Sequence, residues 1–278
     1  MTGRRDEAIE CVPAAPARRG VRAVERALDL LTAFSDAHPV LQLHELAAAT
    51  LLPKPSVHRI ATTLIDYGFL RQGPDGAYSL GTRVIELGNL AASSSSLLKI
   101  ATPVASEMAR ATGETILIAE LDWVNMTIRI VHRIDSEHAL SVLSPVGRQS
   151  PIGNGCVAKA GLFGLPAEVA ARITPQLTLT SRTPQSLVDV QALMAEVDEA
   201  RQRGYATERD EFSVGVVGVA APIAVGGRPI GAVLVVAPAS RCKNSRLHEM
   251  GKRLSKLINI RLGDGHGEYV DMPIFSKI

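Results

Sequence analysis

Cysteine is scarce: Cys11, Cys156 and Cys242 are the whole complement of 278 residues, and no two stand in C-x-x-C spacing. That argues against a disulfide framework or a cysteine-built zinc site and fits a reducing, cytoplasmic setting. Net charge is almost absent as well. Thirty Lys and Arg against 28 Asp and Glu leave +2, so bulk electrostatics make no case for a nucleic-acid or membrane surface protein. No stretch approaches the roughly 20 uninterrupted apolar residues that cross a bilayer. Residues 1–20 lack an apolar run too. They mix Arg and acids with Pro13 and Pro16 and read as a flexible arm, not a signal peptide. Phosphate-loop signatures are missing, because Gly215 to Gly218 and Gly226-Gly227 precede neither Gly-Lys-Ser/Thr nor a helix after a glycine fingerprint. Neither cofactor nor metal is expected.

What is present is 46% hydrophobic residues in a chain long enough for two domains. The most informative stretch is 42–80. Leu43, Leu46 and Ala47 mark one helix, which Leu51-Leu52-Pro53 interrupts, since proline cannot donate to a continuing helix and pushes its predecessor toward extended geometry. A second helix restarts at Lys54, with Pro55 tolerated in the first turn and Ser56 placed to satisfy free amides. Val57, Ile60, Ala61 and Leu64 recur at helical spacing as a buried stripe. The other side shows His58, Arg59, Thr62 and, at its edges, Ser56 and Thr63, short polar and basic side chains suited to a major groove. Gly68, a strand at 69–72, a turn at Gly73 to Gly76 and a return strand at 77–80 complete a winged helix-turn-helix. A preceding helix, 21–35, carries Val24, Leu28, Leu31 and Phe34 on one face.

Charge is permissive. Residues 1–92 hold ten basic and ten acidic side chains, yet Arg18, Arg19, Arg22 and Arg26 cluster, and Lys54, His58 and Arg59 have no acid between Leu46 and Ile65. Two basic patches on a neutral domain suit modest, salt-dependent phosphate contact. An ordinary α+β core with a solvated helix face is the alternative for this segment.

A further helix follows Gly81, and Ser93 to Ser96 is the clearest compositional break, readable as a hinge, a helix cap or both. Beyond it, 97–112 is an amphipathic helix, and 115–121 and 126–132 form a hairpin. A strand is expected at 139–143, a loop at 145–155 and an apolar helix at 156–163. A long helix fills 187–203. Residues 214–225 and 229–236 pair about Gly226-Gly227-Arg228, and a last helix covers 245–262. The expected organisation is an arm (1–20), a winged helix-turn-helix (21–81), a linker (82–96), an α+β domain (97–263) and a tail (264–278).

These residues in this order resemble the IclR family of bacterial transcriptional regulators over about Val21 to Gly263. The carriers in the first domain are 22–28 (RAVERAL), Leu43-xx-Leu46-Ala47, 54–59 (KPSVHR), Gly68-Phe69-Leu70 and Tyr78 to Gly81. In the second they are 203–206 (RGYA), Glu211, Gly215, Ala220-Ala221-Pro222 and Gly231-Ala232. The resemblance implies a linker helix leading to a GAF-like effector domain, an antiparallel sheet flanked by helices. It implies homodimers or dimers of dimers on palindromic double-stranded DNA operators, modulated by a small molecule. It makes the helix that restarts near Lys54 the recognition helix, Gly73 to Gly76 the wing tip and the helix around 84–90 a pairing element.

The resemblance also places an effector pocket at 151–160, where this chain departs from its relatives. Gly153 replaces a usual histidine and Ala158 a glycine, Gly218 stands where cysteine is common, and Leu234 and Val236 replace small polar residues. Lost hydroxyl and thiol groups disfavour a short keto acid and point to a larger or more apolar effector, aromatic ones included. Glu208 and Asn154 are the expected polar contacts, and the amides of Gly153, Asn154, Gly155 and Cys156 a possible anion site at a helix start. The competing reading is a ligand-independent, oligomeric DNA-binding repressor. An enzyme using Cys156, activated at that helix start with His132 or His138 as base, lacks any spacing that ties base to nucleophile. A winged helix that binds protein instead of DNA is the third class.

Overall fold

Residues 20–262 are described by the computed structural model; the expected arm with Arg18 and Arg19 and the tail at 264–278 lie outside them. Contacts divide the chain into two units between Asn89 and Leu90.

In the first unit, α1 (Arg22–Thr32), α2 (Leu43–Thr50) and α3 (Lys54–Asp66) close over Leu30, Leu46, Val57, Ala61 and Leu64. Strands β1 (Val40–Leu41), β2 (Leu70–Gln72) and β3 (Tyr78–Leu80) add an antiparallel sheet in the order β1-β3-β2. The pair β2–β3 is the wing, and β1 is an added strand that two residues of alternation could not announce. One expectation fails in α1. Leu30 is fully buried with Ala27, Leu31 and Phe34 packed beside it, whereas Val24 and Leu28 are 55% and 56% exposed. Two apolar stripes adjoin on this helix, and only one can face α2 and α3. After the wing, α4 (Thr82–Ser94) has no buried residue and exposes Ile85, Leu87 and Leu90.

The serine run is a cap. Ser95 alone is non-helical, its Oγ accepting the Leu98 amide at 3.2 Å, while the Ser93 and Ser94 hydroxyls donate to Leu90 O and Ala91 O. The second unit then follows as α5 (Ser96–Thr112), β4 (Thr115–Asp122), β5 (Thr127–Ile134), β6 (Gln149–Pro151), α6 (Gly155–Phe163), α7 (Ala167–Ile173), α8 (Val190–Arg203), β7 (Ala206–Arg209), β8 (Val216–Val225), β9 (Arg228–Pro238) and α9 (Asn244–Leu262). Its antiparallel sheet has the order β6-β5-β4-β9-β8-β7.

Both faces of the sheet are covered, which explains why its central strands read as nearly continuous apolar runs. Ile116, Ile118, Val217, Val219, Val233 and Val235 meet α5 and α9. Their alternates Leu117, Ala119, Ala220, Ala232, Leu234 and Val236 face α6, α7 and α8. Each buried aliphatic side chain stabilises the fold by roughly 1.5–3 kcal/mol, and the alternation fixes the register, since a one-residue slip would exchange the faces.

The strand expected at 139–143 is irregular chain, with Leu140 and Leu143 exposed. The β5 edge it would need is taken instead by β6, paired as Thr127↔Pro151, Ile128↔Ser150 and Arg129↔Gln149 inside the expected loop. Segment 139–144 satisfies its backbone through side chains: Thr115 Oγ1 donates to Val142 O and Arg133 to Ser144 O.

Candidate DNA-binding face and effector cavity

A reciprocal capping box starts α2: Gln42 N–H donates to Glu45 Oε2 at 2.6 Å while the Gln42 side chain accepts the Glu45 amide. The helix ends on Leu51 in the left-handed region (φ 54), which makes the turn into α3 abrupt. Pro53, not Ser56, takes the N-cap of α3, and no side chain caps it. Val57, Ala61 and Leu64 pin α3 inward, leaving Lys54, Pro55, His58, Arg59, Thr62 and Thr63 exposed and Ser56 half-buried along one accessible face. The Thr62 and Thr63 hydroxyls donate to His58 O and Arg59 O, so outward they offer acceptor lone pairs. Arg22 is exposed on α1. In the wing, Arg71, a residue the sequence reading did not single out, is exposed and donates to Ser79 Oγ at 2.8 Å. Gly76, at φ +79, allows the tight turn at the wing tip.

A cavity of about 90 Å³ opens against the α6 side of the large sheet. Leu117, Ile128, Ile130, Leu234 and Val236 form its apolar wall, and Asn154, Gly155, Cys156 and Glu208 close one end. Gly218 lies just behind that end. A Cβ there would stand 2.8 Å from Glu208 Oε1 and 3.0 Å from Cys156 Sγ, so only glycine leaves room for both side chains.

Two expected residues are elsewhere. A Cβ on Gly153 would meet Thr178 O at 2.5 Å, so this position faces the 178–180 segment, and Ala158 is buried in the core away from the lining. Helix α6 is enclosed on all sides, so periodicity carries no signal for which face meets a cavity. Asn154 is spent differently from its expected role. Its side chain donates to Thr180 O at 3.0 Å and accepts from Thr180 N and Oγ1, which pins a loop and leaves little for a ligand.

Glu208 is the unusual group. It is 6% exposed, and its Oε1 accepts from Cys156 Sγ at 3.5 Å. Oε2 has no hydrogen-bond partner among the described residues. Burial, then the neighbouring Glu211 carboxylate, raises its pKa to about 7, with the Lys159 ammonium opposing. Lys159, itself buried, is held by Glu211 Oε1 at 2.8 Å and Glu196 Oε2 at 3.6 Å. Burial and Glu208 push the Cys156 thiol well above its ordinary value. A thiol kept protonated is a poor nucleophile, and neither His132 nor His138 lines the cavity. His138 lies instead 3.9 Å from Glu114. Around the cavity the sequence reading also missed Arg148, Phe212 and Ser144. They come from irregular segments whose approach depends on the whole sheet.

Residues 89–258 match the family of the bacterial transcriptional regulator IclR, C-terminal, and residues 23–74 match the IclR helix-turn-helix domain. The chain is 29% identical over 247 residues to the transcriptional repressor IclR of Escherichia coli, covering 88% of this chain and 90% of that protein. It is 32% identical over 216 residues to the HTH-type transcriptional regulator KipR of Bacillus subtilis, covering 78% and 85%. Its fold is similar to that of an IclR homologue from Microbacterium hydrocarbonoxydans complexed with 4-hydroxybenzoate, with a TM-score of 0.71 and 22% identity over 87% of this chain and all of that one. These relatives are regulators, not enzymes. A helix-turn-helix DNA-binding domain followed by a C-terminal effector domain therefore makes this chain a member of the IclR family of transcriptional regulators.

Proposed function

We infer that the protein is a cytoplasmic regulator that binds a palindromic operator as a dimer or dimer of dimers and changes that binding when a small aromatic or otherwise largely apolar effector enters the cavity. The cavity carries this reading. Its wall is aliphatic where a short keto acid would need hydroxyls, and its one deeply buried carboxyl has an oxygen without a partner. The 4-hydroxybenzoate held by the Microbacterium relative belongs to the chemical class such a wall accepts. The unpartnered oxygen favours this over a ligand-independent repressor, because a buried acceptor left unmade costs roughly 1–3 kcal/mol.

On the DNA side, the proposed contacts are Arg22, Lys54, Pro55, Ser56, His58, Arg59, Thr62 and Thr63, with Arg71 added from the wing; Arg18 and Arg19 stay proposed from sequence alone. Pairing of protomers is proposed through the exposed apolar side chains of α4, with Val24 and Leu28 of α1 as further candidates. Among the described residues no helix is long and apolar enough to cross a membrane.

The test is a mobility shift on the DNA upstream of the protein's own gene, with and without millimolar 4-hydroxybenzoate or pyruvate. A specific complex altered by the aromatic acid alone supports the reading. Response to pyruvate alone overturns the aromatic assignment.

A further inference from the structure

Helices α5 and α9 lie antiparallel on one face of the large sheet. Arg246 donates to Thr112 O at 3.1 Å, Arg253 stands 3.9 Å from Glu107, and the last turns of α9 reach the first turns of α5. Along this seam runs an open groove lined by Lys99, Ile100, Glu107, Leu257, Ile260 and Arg261. Ile100 and Leu257 are only partly buried against the core, and Ile260 is 67% exposed. Arg253, Lys256, Leu257, Ile260 and Arg261 recur at helical spacing, so basic and apolar side chains share one outward stripe of α9.

The two helices carry seven Lys and Arg against two acids, Glu107 and Glu249. Lys99, Lys256 and Arg261 have no carboxylate within ion-pair distance among the described residues. An apolar floor between unpaired cations fits a segment that is both apolar and acidic.

The chain supplies such a segment directly after α9. Residues 263–278, beyond the described part of the chain, read GDGHGEYVDMPIFSKI. Tyr269, Val270, Met272, Pro273, Ile274 and Phe275 cluster there, and Asp264, Glu268 and Asp271 outnumber the single Lys277. The whole chain is only 4% aromatic, so two aromatic rings in this short cluster are apolar surface in want of cover. Gly263, Gly265 and Gly267 permit the reversal that a return along α9 requires. From Arg261 back to Arg253 is about 12 Å of helix. The connecting residues 263–268 span up to about 20 Å when extended.

We propose that residues 269–275 dock in the α5–α9 groove of their own chain. Tyr269, Ile274 and Phe275 cover Ile100, Leu257 and Ile260, while Glu268 and Asp271 meet Lys99, Lys256 and Arg261. The segment is tethered at the end of the groove, which sets its effective concentration there at about millimolar, so weak contacts suffice.

Hydrogen exchange of the full chain, read by peptide mass, tests the docking. Amides of 269–275 should exchange about tenfold or more slowly than in a free peptide of the same sequence. Ile260→Asp alters an exposed position and should release that protection while α9 stays protected. Lys99→Glu with Arg261→Glu should weaken it. Carbodiimide should couple Glu268 or Asp271 to Lys99 or Lys256. If Ile260→Asp does not fold, these links in wild type read the same contact. When isotope-labelled and unlabelled chains are refolded together, linked peptides should carry one isotope only. Free-peptide exchange rates at 269–275 overturn the proposal, as do protection that survives Ile260→Asp and the absence of links to either lysine. Links of mixed isotope overturn it in favour of the groove of a second copy.

Discussion

Cys156 and Glu208, 52 residues apart in the chain, share a hydrogen bond of 3.5 Å in a space that a single added methyl group at Gly218 would close. The carboxyl holds the thiol in its neutral form, while the thiol's hydrogen bond favours the ionised carboxyl against the burial that opposes it. Burial raises both groups, so the thiol stays neutral while the carboxyl, with a pKa of about 7, changes its charge across the neutral range.

Stability should carry the titration of Glu208. Its folded value is about 7 against an ordinary 4.5, so the folded state holds the proton more tightly than the unfolded chain. The contribution is fully present below about 4.5, is lost as pH rises toward 7, and is flat above. The span is on the order of 3 kcal/mol. Glu211, Lys159, Cys156, the Phe212 backbone amide and Arg148 set the field it feels. Glu208→Gln should flatten the fall of the urea midpoint between pH 5 and pH 7.5, and an unchanged slope would show that Glu208 titrates normally.

Cys156 should resist alkylation. Iodoacetamide at pH 7.5 is expected to leave it unmodified in the folded protein and to label it in 6 M guanidinium, as read by peptide mass. Rapid labelling of the native protein would contradict both its burial and its raised pKa.

Gly218→Ala should destabilise the protein by roughly 1–3 kcal/mol, the usual penalty for overpacking. The new Cβ would press on Glu208 Oε1 and Cys156 Sγ. Thermal unfolding measures this, and an unchanged midpoint would mean that the two side chains move aside freely.

Arg59 and Lys54 should separate on DNA. Arg59, further along the exposed face of α3, is expected to read base edges, so Arg59→Ala should cost about 1–3 kcal/mol on the operator and little on random DNA. Lys54, in the first turn, is expected to meet phosphate; its loss should weaken both and reduce the salt slope by about 1. Titrations at several salt concentrations distinguish the two.

In α1, Leu30→Ala should cost about 2–5 kcal/mol in denaturation, whereas Leu28→Ala should leave monomer stability within roughly 0.5 kcal/mol. If the exposed stripe pairs protomers, Leu28→Ala should instead lower association in sedimentation equilibrium.

The helix-turn-helix was legible because its signals are local: the Leu51-Leu52-Pro53 break, the 57–60–61–64 stripe and the Gly73 to Gly76 turn each act within a few residues. The sheet of the second unit was legible in outline, since β8 and β9 are long apolar runs joined by a two-glycine turn. Where local signals compete, the sequence is silent. Segment 139–143 has the composition of a strand but loses the β5 edge to Gln149–Pro151, and α1 carries two apolar stripes of which the core accepts one.

Sequence alone, then, determined the regulator architecture and the position of the second helix of the helix-turn-helix, because periodicity, proline and glycine act on neighbouring residues. Only the tertiary structure decided the cavity. Arg148, Cys156, Glu208 and Phe212 meet because a six-stranded sheet brings segments from its two edges to one enclosed space. Their charges and pKa values arise from burial, a property that no residue has until the others are in place.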